Sequence, residues 1–201
     1  MTATRSQKAR ARRLYDELMA RYPDAHCALD YSSPSELLIA TILSAQATDV
    51  GVNKATPALF AAFPKPSDYA AASPQDIEPF VSSINFYRNK SKAIHAAMTR
   101  LEEEFGGEVP GTMEDLLSLR GVARKTANVV LGNAFNKNEG VVVDTHVARV
   151  SQRFGLTVET KPERIERDLM DLYARPRWTM LSHLLIRHGR EVCKARGSLC
   201  A

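Results

Sequence analysis

A single glycine, Gly121, lies between two apolar segments and constrains the fold more than any other residue of the chain. Both segments repeat apolar residues at helical spacing, so the sequence predicts two helices joined by a very short turn. A turn this tight needs a residue without a Cβ atom, which explains the glycine. The apolar positions are Met113, Leu116, Leu117 and Leu119 before the turn and Ala127, Val129, Val130 and Leu131 after it.

The turn of this predicted hairpin is a candidate binding site for a phosphate group. The amides of residues 121–124 are expected to point outward at the start of the second helix, where the helix dipole favours an anion. Arg124 lies beside them. We interpret the pattern as a helix-hairpin-helix that grips the DNA backbone without reading base sequence. On the glycine turn alone, an ordinary corner of an all-α domain is an open alternative.

Lys125 and Asp144 are the candidate reactive groups. Lys125 falls in the first turn of the second helix, where the macrodipole disfavours a cation. It could bind phosphate, or the helix end, Arg124 and partial burial could lower its pKa until the amine attacks carbon. A lysine that simply extends into solvent is the alternative. Asp144 follows the run Val141–Val143 and opens a helical pattern, so capping alone would explain an aspartate there.

Two motifs closely resemble the signature of the endonuclease III family of helix-hairpin-helix DNA glycosylases, namely GVARKTANVVLGNAF at residues 121–135 and VVVDTHVARV at 141–150. Three shorter motifs extend the resemblance over roughly residues 10–200. LSAQATD at 43–49 resembles the family's early helix pair, FYRNK at 86–90 resembles the loop that wedges into the duplex, and IRHGR at 186–190 resembles the approach to an iron–sulfur loop.

The resemblance implies an all-α, two-lobed helix-hairpin-helix glycosylase fold. Residues 30–138 would form a six-helix lobe that contains the hairpin at about 112–134. Residues 1–29 and 139–201 would form the terminal lobe, and DNA would lie in the cleft between the lobes. The helix starts read from the residues agree with a mostly helical chain, since Ser33, Ser73 and Thr112 each precede a Pro or Glu and an apolar pattern.

The resemblance also implies the activity, a bifunctional DNA glycosylase and AP lyase that removes oxidised pyrimidines from damaged double-stranded DNA. Lys125 would be the nucleophile that forms a Schiff base, and Asp144 the second catalytic group. Gln46 would fill the space left by a flipped nucleotide, and Phe86 would be the wedge. The other DNA-binding residues would be Arg88, Arg120, Gly121, Val122, Ala123 and Arg124. A monofunctional glycosylase of the same superfamily and a non-catalytic helix-hairpin-helix module are the alternatives.

The sequence departs from the family pattern at several positions. Arg120 and Ala123 replace the proline and the second glycine that the hairpin commonly carries, and we expect phosphate binding to persist. Asn85 replaces the glycine before the wedge residue, and asparagine tolerates the left-handed conformation. His146 and His188 lie next to motif residues, but we expect them to pack or hydrogen-bond locally.

The cysteines do not complete the family's pattern. The family holds a [4Fe-4S] cluster with the spacing Cys-x6-Cys-x2-Cys-x5-Cys, and only Cys193 and Cys200 fit, as the first interval. We therefore expect the cluster to be incomplete or absent in these 201 residues, and the sequence to be a piece of a longer protein. A variant that has lost the cluster is the alternative. Cys27 is expected to be a buried, inert thiol.

The net charge of +4 favours a polyanionic partner, and the cations gather in four groups that suit a long footprint on phosphates. The sequence has no hydrophobic signal core and no apolar run of transmembrane length, so we expect a cytoplasmic protein with no membrane partner. We also expect a monomer. The four groups are Arg5, Lys8, Arg10, Arg12 and Arg13; Arg88, Lys90 and Lys92; Arg120, Arg124 and Lys125; and Arg187, Arg190, Lys194 and Arg196.

Overall fold

The computed structural model describes residues 3–196, and this part of the chain is helical with no strand. The predicted all-α class is therefore confirmed. The helices are α1 Arg5–Arg21, α2 Pro34–Ser44, α3 Asp49–Ala62, α4 Pro66–Ala71, α5 Pro74–Val81, α6 Tyr87–Phe105, α7 Met113–Ser118, α8 Arg124–Ala134, α9 Thr145–Arg153, α10 Pro162–Leu172 and α11 Trp178–Glu191, with a short 3₁₀ turn at Arg175–Arg177.

The chain divides into two compact units. The central unit runs from Ala28 to Asn136 and contains α2–α8, and the terminal unit combines the chain up to Cys27 with the chain from Lys137 onward. None of the helices in residues 3–196 combines the length and the apolar character that crossing a membrane requires.

Side-chain caps start several helices where the sequence predicts them. Ser33 Oγ accepts a hydrogen bond from the Glu36 amide at 3.2 Å, and Pro34 is the first residue of α2. Thr112 Oγ1 accepts from the Asp115 amide at 3.2 Å at the start of α7. Such caps satisfy amides that have no partner within the helix, so they fix the residue at which each helix begins.

Helix α2 is the centre of the central unit. Its residues from Leu37 to Leu43 are all buried, as expected for a helix that is apolar on every side. It contacts α3, α6 and α8. Helix α8 turns Ala127, Val130 and Leu131 inward. The packing of these residues therefore fixes the orientation of α8, including its first, amino-terminal turn.

The terminal unit is built on α9 and α11, which pack closely. Gly189 of α11 allows this approach, because a Cβ atom there would lie 3.0 Å from the Cβ of His146. The run Val141–Val143 that leads into α9 is a buried connection and not a strand. Ser182 Oγ accepts a hydrogen bond from the Val142 amide at 2.9 Å and holds this connection against α11.

Candidate active site and nucleic-acid interface

The turn between α7 and α8 has the geometry that its glycine predicts. The Val122 amide donates to the Leu119 carbonyl at 3.2 Å and closes a four-residue turn, and Gly121 has a φ of +83°. A positive φ at the third residue is typical of a type II turn. The glycine is needed for space as well, because a Cβ atom would lie 2.9 Å from the Cβ of Ala93 on α6.

One part of the phosphate-site prediction is wrong. We expected the amides of residues 121–124 to point outward together, but the Val122 amide closes the turn and its side chain is buried. The start of α8 still suits an anion, because the Ala123 side chain offers no oxygen atom to cap its amides. Arg120 and Arg124 are both exposed beside it.

Lys125 is the second residue of α8 and is exposed. The position in the first helical turn is the predicted one, but the partial burial that we invoked is wrong. The buried stretch of α8 begins at Ala127, so Lys125 lies ahead of it in the first turn of the helix. Its amine is reachable by a large substrate.

Asp144 caps α9, as its position in the sequence predicts. Its Oδ1 accepts a hydrogen bond from the Val147 amide at 2.8 Å, and the side chain is half-buried. The valine run before it is buried and the helix after it packs on α11, so the carboxylate is held on both sides. The cap uses one carboxylate oxygen. Asp144 belongs to the terminal unit and Lys125 to the central unit.

Gln46 and Phe86 share an uncommon backbone conformation. Their φ angles are +54° and +60°, values that residues other than glycine rarely adopt. Backbone strain of this kind concentrates at functional sites. Asn85 would tolerate the left-handed conformation, but the residue that adopts it in this loop is Phe86. Phe86 is 62% exposed, which is a large fraction for an aromatic ring.

The loops that carry Gln46 and Phe86 are joined. Asn85 Nδ2 donates a hydrogen bond to the Gln46 carbonyl at 3.2 Å. The bond joins the Gln46 loop to the residue directly before Phe86, so it links the loops of two residues that are 40 positions apart and that the sequence nominated for the same step. An open cavity of about 440 Å³ lies along the junction, lined by Gln46, Ala47, Thr48, Gly51, Ser83, Ile84 and Asn85.

Lys90 does not belong with the cations that could meet phosphate. It is 7% exposed, and its Nζ donates to the carbonyls of Leu43 at 2.8 Å and Ala45 at 2.6 Å. Sequence reasoning missed this role, although a signal existed. Lys90 lies at helical spacing from Ile94, Ala97 and Leu101, the buried face of α6.

The other predicted cations divide between exposed and paired positions. Arg88 has a side chain that is 73% exposed, although it lies 3.8 Å from Glu78. In the amino-terminal group, Lys8 pairs with Asp171 at 3.1 Å and Arg10 donates to the Phe154 carbonyl at 2.6 Å. These two cations therefore stabilise the terminal unit.

His146 and His188 make local contacts, as predicted. The Nδ1 atom of His146 lies 3.1 Å from an Arg149 nitrogen, and that of His188 lies 3.1 Å from the Tyr22 hydroxyl. Burial lowers the pKa of His188, so the ring is neutral near pH 7.

The cysteines present do not make a complete site for a [4Fe-4S] cluster. Such a cluster takes four thiolates, and the sequence has three cysteines in total. Cys193 is buried, with Sγ 3.2 Å from an Arg153 nitrogen, while Cys200 lies outside the described residues. Within residues 3–196 no group of three or more His, Cys, Asp or Glu side chains could hold a metal ion. Cys27 is half-buried and not buried as expected, since it lies in the connection after α1.

Comparison with solved structures defines the class of protein. An endonuclease III trapped as a covalent intermediate with DNA, in an estranged-adenine complex, matches with a TM-score of 0.90 and 41% identity, over 96% of this chain and 91% of that chain. A thermostable thymine-DNA glycosylase, 18% identical, matches with a TM-score of 0.82 over 94% of this chain and 90% of that chain. The fold is therefore that of the helix-hairpin-helix DNA glycosylases.

Sequence comparisons give the family. The model of the HhH-GPD superfamily base excision DNA repair proteins matches residues 39–175. The endonuclease III of Synechocystis sp. is 55% identical over 97% of this chain and 89% of its own length, and that of Bacillus subtilis is 41% identical over 92% and 85%. The chain belongs to the HhH-GPD superfamily and, within it, to the endonuclease III family. The predicted enzyme class, a base excision repair DNA glycosylase/lyase, is confirmed.

Proposed function

We propose that Lys125 is the nucleophile and Asp144 the assisting carboxylate of this glycosylase/lyase, acting on oxidised pyrimidines in double-stranded DNA. The observation that carries the assignment is the exposed amine of Lys125 in the first turn of α8, directly after the glycine turn. The helix dipole makes this a poor place for a cation on grounds of stability, so its presence calls for a functional reason. Lysine is a suitable nucleophile because its amine forms a Schiff base.

The hairpin would first hold the DNA backbone. A phosphate oxygen would accept hydrogen bonds at the start of α8, with Arg120 in the turn, Arg124 at the first residue of α8 and Arg88 as a further cation. Gly121, Val122 and Ala123 would contribute through the shape of the turn and not through polar side chains. Binding of this kind is independent of base sequence, which suits an enzyme that must find a lesion in any context.

The damaged nucleotide must leave the base stack before its sugar can react. Phe86 would enter the duplex, because its ring is exposed at the tip of its loop and can stack on bases. Gln46 would fill the space that the flipped nucleotide leaves. The hydrogen bond from Asn85 to the Gln46 carbonyl supports a joint action of these two loops.

The chemistry would then proceed in two stages. Lys125 Nζ forms a bond to C1′ while the bond from C1′ to the base breaks, and the base leaves with the bonding electron pair. Asp144, as a carboxylate, would stabilise the positive charge that develops on the sugar and take up the proton that the amine loses. The C1′–O4′ bond then breaks, O4′ takes up the proton that Asp144 holds, and the opened sugar is joined to Lys125 through a protonated Schiff base at C1′.

The Schiff base makes the C2′ proton acidic, because the iminium withdraws electrons from the neighbouring carbon. Loss of that proton and breakage of the C3′–O bond cleave the strand 3′ to the lesion by β-elimination. Water then hydrolyses the Schiff base and restores Lys125.

No step of this mechanism passes through a [4Fe-4S] cluster. Cys193 and Cys200 stay the candidate thiolates, and iron content measured with visible absorbance tests whether this chain binds one.

We further propose that the protein acts as a monomer in the cytoplasm.

The assignment of Lys125 is tested by measuring base release and strand cleavage separately on a duplex with one oxidised pyrimidine. Lys125→Ala should lose both activities, whereas Lys65→Ala, a change at an exposed lysine of the same unit, should lose neither. Base release without strand cleavage in Lys125→Ala would favour the monofunctional alternative and refute the nucleophile. Duplex binding by the wild type with neither activity would favour a non-catalytic module.

A further inference from the structure

Lys90 is a buried cation that closes the end of α2. Its Nζ lies 2.8 Å from the Leu43 carbonyl and 2.6 Å from the Ala45 carbonyl, at the end where α2 stops and the Gln46 turn begins. The last carbonyls of a helix have no partner within it and carry the negative end of the dipole. A lysine ammonium satisfies both features, since it is positive and carries three donors.

The same loop region supplies a second bond to the turn. Asn85 donates to the Gln46 carbonyl at 3.2 Å, so Asn85 and Lys90 reach the turn from the two sides of Phe86 in sequence. Gln46 and Phe86 both have positive φ angles, and a conformation of this kind persists only where surrounding contacts impose it. The two strained residues are thus held by neighbours from one short segment.

Packing alone does not explain a lysine at this position. Lys90 lies on the buried face of α6, where an apolar side chain such as methionine fills the same volume without losing hydration. Burial lowers the pKa of Lys90, which reflects that loss of hydration. What lysine adds is the pair of hydrogen bonds to the carbonyls that precede Gln46.

We propose that Lys90 is a positioning residue for nucleotide flipping, which holds the Gln46 turn to the loop that carries Phe86 so that both residues enter the duplex together. Lys90 touches neither the reacting atoms nor the phosphates and acts through Gln46. The inference rests on the proposed function of Gln46 and Phe86. It predicts that Lys90 matters for base release only while the Gln46 side chain is present.

A double-mutant cycle tests this dependence. The variants are Lys90→Met, Gln46→Ala and the two combined, with Lys65→Met as the matched exposed control. The readouts are the single-turnover rate of base release and the fluorescence of 2-aminopurine placed opposite the lesion. We expect Lys90→Met to slow base release about tenfold in the wild-type background and less than about twofold in the Gln46→Ala background. The fluorescence rise should fall in the same pattern, and Lys90→Arg should restore part of the lost rate.

A purely structural role gives a different result. Loss of fold stability would slow both backgrounds by the same factor, and such additive slowing would overturn the proposal, as would a normal rate for Lys90→Met. If Lys90→Met does not fold, Lys90→Gln takes its place in the same cycle, since it removes the positive charge and keeps an amide nitrogen with two N–H donors. Failure of the proposed function is distinct, because base release by the wild type would then be absent or would persist in Lys125→Ala.

Discussion

Replacing Gly121 by alanine tests how the hairpin is built. Two separate costs apply at this position. The φ of +83° lies in the left-handed region, where a Cβ atom costs about 1–2 kcal/mol. The new methyl group would also lie 2.9 Å from the Cβ of Ala93, which cannot withdraw because it is attached directly to the backbone of α6. Overpacking of this kind costs about 1–3 kcal/mol.

Gly106 provides the matched control. It also has a positive φ, +60°, but a Cβ atom there meets nothing within 4 Å. The change to alanine at either position restricts the unfolded chain equally, so this effect cancels in the comparison. Gly106→Ala therefore reports the backbone cost alone, and the difference between the two variants reports the contact with α6.

We expect Gly121→Ala to be less stable than Gly106→Ala by about 2 kcal/mol. In a chain of this size, 1 kcal/mol lowers Tm by about 2–4 °C, so the two melting temperatures should differ by roughly 4–8 °C. Thermal unfolding followed by circular dichroism, with urea unfolding as a second measure, gives the values. Equal stability of the two variants would refute the close approach of the turn to α6.

Three further predictions concern single side chains. Asp144→Asn should keep the stability of α9 within about 1 kcal/mol, because asparagine caps as well as aspartate, yet slow base release at least about 100-fold; a normal single-turnover rate would contradict this. Phe86→Gly should raise the free energy of unfolding by about 1 kcal/mol by removing the strain of a positive φ, while reducing the 2-aminopurine signal; Phe86→Ala should reduce the signal without the gain. Burial, and to a lesser extent His26, lowers the pKa of His183 to about 4. Since the unfolded ring titrates near pH 6.5, stability should fall by up to about 3 kcal/mol as the pH drops from about 6.5 to about 4, and His183→Asn should flatten that fall in acid unfolding curves.

The helical framework was predictable because its signals are local. Ser33, Thr112 and Asp144 each indicate the start of a helix. In each case the side-chain oxygen accepts a hydrogen bond from the backbone amide three residues later. The hairpin turn followed from Gly121 in the same way, since a tight turn tolerates few residue types. The position of Lys125 in the first turn of α8 then followed from the turn.

Other features depend on contacts distant in sequence and could not be read from local pattern. Lys90 looked like one more surface cation, and the partners of its amine lie at the end of α2, some 45 residues earlier. The left-handed conformation falls on Phe86, next to Asn85, whose side chain donates to the distant Gln46 carbonyl. The exposure of Lys125 depends on where the buried stretch of α8 begins, which is at Ala127. The joint assignment of Lys125 and Asp144 came from the family resemblance, because no spacing rule relates them.

The central claim is that Lys125 bonds covalently to the sugar of the lesion. Borohydride reduces a Schiff base to a stable amine, so trapping the protein on a duplex with an oxidised pyrimidine, followed by proteolysis and mass spectrometry, locates the modified residue. We predict that the DNA adduct lies on the peptide that contains Lys125 and that Lys125→Ala gives no adduct. An adduct on another lysine, or trapping that Lys125→Ala retains, would contradict the account.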